Sequence, residues 1–71
     1  MTPTQCRVAR ARLELSQAAL AAVARVPATV IADFEMGAWT RPADIQALQR
    51  ALEYVGVEFI GDVTVKLRKG K

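Results

Sequence analysis

Histidine is missing from this 71-residue chain, and cysteine occurs once, at Cys6. A single thiol cannot close a disulfide within the chain, and with no histidine beside it no Cys/His zinc set can be assembled. No metal site or cofactor is expected. The sequence also has no imidazole to act as a general base, no glycine-rich loop to cradle a phosphate, and no carboxylates paired at a recognisable spacing. No enzyme is expected, and no small-molecule ligand is evident. Long apolar runs are lacking as well, since charge interrupts every one within a few residues, and no charged N-terminal region leads into an apolar stretch. Neither a signal peptide nor a membrane span is expected, so the reading is a cytoplasmic protein with a reduced thiol.

A chain this short makes one compact unit and buries only about 60% of its unfolded surface, so a partner subunit is a natural source of added stability. Ten Lys and Arg against seven Asp and Glu give a net charge of +3, which suits a polyanionic partner without requiring one. The cations are clustered. Arg7, Arg10 and Arg12 lie near the start, and Lys66, Arg68, Lys69 and Lys71 near the end, where they form either a solvated tail or a phosphate contact.

Thr2-Pro3-Thr4-Gln5 spells a helix start, with Thr2 as cap, Pro3 in the first turn and Gln5 completing a capping box. Cys6, Ala9 and Leu13 follow at helical spacing. Ser16 is a second cap, opening a short helix over Gln17 to Arg25 with Leu20, Ala21 and Ala24 on one face. Pro27 punctuates the chain before a third helix from Ala28 to Met36, ended by Gly37. After a loop at Ala38-Trp39-Thr40-Arg41-Pro42, the positions Ile45, Leu48, Leu52 and Val55 repeat at helical intervals up to Gly56. The remainder changes period. Val57-Glu58-Phe59-Ile60 and Val63-Thr64-Val65-Lys66-Leu67, separated by Gly61-Asp62, predict a hairpin with a two-residue turn.

The order Gln17-x-x-Leu20-Ala21-x-x-Ala24-x-Val26, then Ile31-x-x-Phe34-Glu35-x-Gly37, resembles the helix-turn-helix of the lambda-repressor-like (Xre) family, over a stretch from Cys6 to Leu52. Small residues at Ala21 and Ala24 let two helices cross closely, and Leu20, Val26, Ile31 and Phe34 fix their angle. The pattern departs from the family where Arg25 and Glu14 stand in place of frequent glycines, and the third helix has no lysine or arginine.

The resemblance implies a mainly α fold: a four-helix lambda-repressor-like helix-turn-helix domain over residues 1–56, followed by a short C-terminal β-hairpin and basic tail over 57–71. It implies a sequence-specific regulator of transcription that binds double-stranded DNA, a repressor on a palindromic operator. Ala28, Thr29, Ala32 and Asp33 would then meet base edges, with Thr29 alternatively supporting the first turn and Asp33 alternatively pairing with an arginine. Gln17, Thr40 and Arg41 would hold phosphates, and Arg10 with Glu35 would be either an orienting ion pair or two unconnected surface charges. Trp39 reads as a core plug, an interface residue or a nucleic-acid contact.

Val57, Phe59, Ile60, Val63, Val65 and Leu67 crowd apolar side chains onto the hairpin, which predicts either a homodimer through it or a ribbon folded back on its own helices. The rival function is an antitoxin-like or other protein-binding module whose C-terminal part contacts a partner protein.

Overall fold

A computed structural model describes residues 1–62 and 64–68. Helix α1 spans Pro3–Leu13, α2 Gln17–Ala24, α3 Ala28–Glu35 and α4 Pro42–Val55; strands β1, Val57–Ile60, and β2, Thr64–Leu67, close the order. Four helices followed by an antiparallel hairpin is the mainly α architecture that the sequence predicts. No single helix among the described residues is long and apolar enough to cross a membrane.

The helix starts follow their local chemistry. The amide of Gln5 donates to the Thr2 hydroxyl at 3.1 Å and the Gln5 side chain accepts from the Thr2 amide at 2.9 Å, a complete capping box. The Ser16 hydroxyl accepts from the Ala19 amide at 2.9 Å and opens α2. Two helix ends are strained. Glu14 and Arg25 both sit in the left-handed region, at φ 55 and φ 61, where a side chain is disfavoured and glycine is not. Arg25→Gly is therefore expected to raise stability by about 1 kcal/mol. The measurement is the urea midpoint at an unchanged slope, and a lowered midpoint would mean that the arginine side chain contributes more than its backbone costs.

Leu20, Ile31, Leu48 and Leu52 are fully buried, and Cys6, Ala9, Phe34 and Ala51 pack with them. Val57 and Val65 belong to the same core. The hairpin is thus packed back on its own helices, and the boundary at Gly56 does not separate two cores.

The turn differs from the expected one. The register pairs Val57 with Leu67, Glu58 with Lys66, Phe59 with Val65 and Ile60 with Thr64, which leaves three positions between the strands instead of two. A two-residue turn would set Phe59 opposite Thr64 and Val57 opposite Lys66, turning a charge to the core and Val65 away from it. Because side chains alternate, one residue of slip exchanges the two faces, and burial of Val57 and Val65 selects the longer connection. The same alternation divides the apolar side chains unequally between the two faces of the hairpin. One face carries Val57, Phe59, Val65 and Leu67, and the other carries Glu58, Ile60, Thr64 and Lys66. Val63 lies outside the described residues, as do Lys69 and Lys71.

Candidate nucleic-acid interface

Helices α2 and α3 are joined by three residues, Arg25, Val26 and Pro27, and their axes turn by 117°. A helix-turn-helix has this form, two helices at roughly 90–120° across a three- or four-residue turn. Leu20, Ala21, Ile31 and Phe34 are buried where the helices meet, and Ala24 and Val26 are half-buried beside them. Alanine at 21 removes bulk where larger side chains would separate the helices.

The angle is locked by one carboxylate. Glu35, at the end of α3, is buried, and Arg10 of α1 grips it with both prongs of its guanidinium, Nε to Oε2 at 2.7 Å and Nη2 to Oε1 at 2.8 Å. The remaining prong of Arg10 donates to the Leu15 carbonyl at 2.9 Å, just before α2. Gln17 of α2 donates its side-chain amide to Oε1 at 3.2 Å, and the Cys6 thiol donates to Oε2 at 3.2 Å. Arg7 donates to the Glu35 backbone carbonyl at 2.6 Å, placing a cation at the negative end of α3. Burial alone would push the Glu35 carboxyl up, but the hydrogen bonds from Arg10, Cys6 and Gln17, with the Arg10 charge, hold it below the ordinary carboxyl value of 4.5. Burial, aided by the same carboxylate, pushes the Cys6 thiol up to about 12, so it stays a donor.

The outer face of α3 is free of these ties. Ala28, Thr29 and Asp33 are exposed and Ala32 is half-buried, all on the side turned away from Ile31 and Phe34. Among the described residues the Thr29 hydroxyl caps nothing, since α3 has no side-chain cap, and the Asp33 carboxylate pairs with no arginine. Met36 continues the same stripe at 81% exposure.

Beyond it Trp39 is 80% exposed, which rules out a core plug. Trp39 shares a shallow recess with Val30, Asp33, Thr40, Arg41 and Asp44. Arg41 reaches Asp44 at 3.3 Å, an exposed pair worth about 0–1 kcal/mol and easily exchanged for another anion. Thr40 bonds the Ala38 carbonyl at 3.2 Å. The structure therefore gathers Thr29, Asp33, Met36, Trp39 and Arg41 on one surface, whereas the Gln17 amide points inward to Glu35.

Of the residues expected between subunits, Val57 and Val65 are buried in the chain's own core and Phe59 packs against it. Only Ile60 and Leu67, 50% and 44% exposed, remain available among the described residues. Sequence reasoning missed Gln5 as an anchor of the hairpin. Its buried amide donates to the carbonyls of Gly61 at 3.0 Å and Thr64 at 3.3 Å. The capping box gave it a role already, and nothing local marks the second one. The parts of Cys6 and Arg7 were also missed, although their helical spacing from Arg10 places all three on the side facing Glu35.

Compared with known proteins, the sequence matches no family model and no curated protein.

Proposed function

We propose that the chain is a sequence-specific double-stranded DNA-binding regulator of the lambda-repressor-like type, with α3 as the helix that enters the major groove, acting in the cytoplasm as a repressor. One observation carries this reading. A helix-turn-helix bent by 117° buries one face of α3 and is clamped at Glu35, while the opposite face is left exposed and unbonded next to Arg41. Such rigidity is what a reading helix needs, because base contacts tolerate little displacement. Arg41, Thr40 and the first amides of α2 beside Gln17 form the cationic and polar edge for backbone phosphates.

The test is a binding titration on a mixed duplex library at several salt concentrations. Arg41→Ala is expected to weaken all sequences alike and to reduce the salt slope by about 1 for each phosphate that is no longer neutralised. Trp39 is the sole tryptophan, so its fluorescence reports on the recess directly, and binding is expected to change both its emission and its quenching by iodide. A slope unchanged by Arg41→Ala removes that residue from the interface. No retained DNA at low salt overturns the reading, and an apolar protein contact, the rival function, would survive high salt.

The same reading places two copies on a palindromic operator, with reading helices about 34–36 Å apart. Support comes from the open edges of a two-stranded ribbon and from Ile60 on its outer face. Ile60→Lys is expected to turn a micromolar dimer into a folded monomer in sedimentation. A wild-type monomer at that concentration, bound to DNA singly, rejects the dimer.

A further inference from the structure

The outward stripe of α3 has a restricted chemistry, and the restriction determines which bases it can meet. Ala28, Thr29, Ala32, Asp33 and Met36 stand at i, i+1, i+4, i+5 and i+8, one face of the helix. Four of them offer only methyl, methylene or thioether surface or a hydroxyl with its methyl, and the fifth offers a carboxylate. None is Arg, Lys, Asn or Gln.

In the major groove guanine presents two acceptors, and adenine presents an acceptor beside a donor, so both are read at two points by Arg, Lys, Asn or Gln, which the lone hydroxyl of Thr29 cannot replace. The pyrimidines present the complementary features, the thymine C5-methyl and the cytosine N4 amino donor. The donors nearest the stripe from behind are already committed inward: the Gln17 amide and the Arg10 guanidinium to the Glu35 carboxylate, and Arg7 to the Glu35 carbonyl. None of these three donors can swing across to a purine without opening the Glu35 cluster, and Arg41 is assigned above to the backbone phosphates.

Resting on the DNA-binding reading above, we infer that α3 recognises pyrimidine groups, thymine methyls through Ala28, Thr29, Ala32 and Met36 and one cytosine amino group through Asp33, and makes no guanine contact. The half-site is therefore one whose groove wall is lined with methyl groups under the helix. A 5-methylcytosine there presents the same methyl group, beside an N4 donor in place of the thymine O4 acceptor, and satisfies the methyl contact equally.

The experiment uses the full chain. Duplexes are selected from a random library, and the preferred one is then resynthesised with deoxyuridine replacing thymidine, one position at a time, and with 7-deazaguanine replacing every guanine. Uracil lacks only the methyl, so affinity is expected to fall about fourfold at each of two or more positions, the effect of exposing one buried methyl. Replacing guanine is expected to leave affinity within about twofold, because α3 has no Arg or Lys to address its N7 and O6 together. Thr29→Ser, which keeps the hydroxyl, is expected to become indifferent to uracil at one of the sensitive positions while retaining the others. Uracil tolerated everywhere, or a tenfold or greater loss with 7-deazaguanine, overturns the pyrimidine readout while leaving DNA binding in place. A library from which nothing is retained overturns the DNA-binding reading, and this inference with it.

Discussion

Arg10→Ala is expected to cost the fold about 3 kcal/mol, the low end for removing one partner of a buried ion pair, because the Arg10 side chain keeps 18% exposure while Glu35 keeps 4%. A chain of 71 residues holds on the order of 4–10 kcal/mol in total, so this one change removes a large part of it. The loss comes from what is left behind, a carboxylate out of water without its bidentate partner. Glu35→Gln should soften the effect, and the double variant should be more stable than the sum of the single losses.

The dependence on pH provides a second readout. In the native chain the Glu35 carboxyl is held below 4.5, so its contribution is present above that value and fades as the pH falls through the lowered one. Without Arg10, the main group holding it down is gone and burial pushes the carboxyl up. That group then favours the fold as the pH falls, and the difference in stability between wild type and variant narrows in acid. A gap that stays constant from pH 7 to about pH 3 would show that the pair is not coupled to titration.

If α3 enters the major groove as proposed, Ala28→Glu is expected to abolish specific binding, lowering DNA affinity at least about 100-fold, because a carboxylate would be set against the acidic groove. The variant should fold at least as well as the parent. Position 28 is exposed at the first turn of α3, where no side chain caps the free amides, and a negative charge there is favourable by about 0.3–1 kcal/mol. Melting temperature and DNA affinity should therefore move in opposite directions. A variant that binds within about threefold of the parent would remove the start of α3 from the interface, and a destabilised one would overturn the helix-terminus argument.

Much of the helical part was legible because its signals are local. Thr2, Gln5 and Ser16 announce their helices within four residues, and Leu48 and Leu52 repeat at helical spacing. Strain at Arg25 could be anticipated from the glycine frequent at that place in the pattern the sequence resembles. The Arg10–Glu35 pair was legible only through the resemblance, since nothing in composition links residues 25 apart. What escaped notice was set by distant parts of the chain. Gly61-Asp62 reads locally as a two-residue turn, but the phase of the strands is decided by which valines reach a core built by α1 and α4. Gln5 bonds carbonyls more than fifty positions away, and its identity as a cap hides that. Trp39 carries an ambiguous residue type, and only the packing around it tells whether it is covered.

The mooring of the hairpin by Gln5 bears on how the protein is made. A growing chain offers its helix-turn-helix sequence long before Val65 has been added, yet until then the core lacks Val57 and Val65 in place, and the buried amide of Gln5 has no carbonyl to meet. Until then α1 is held to α3 through Glu35 but lacks its tie to the hairpin. Products that stop short of Val65 are accordingly expected to be cut by proteases faster than the full chain.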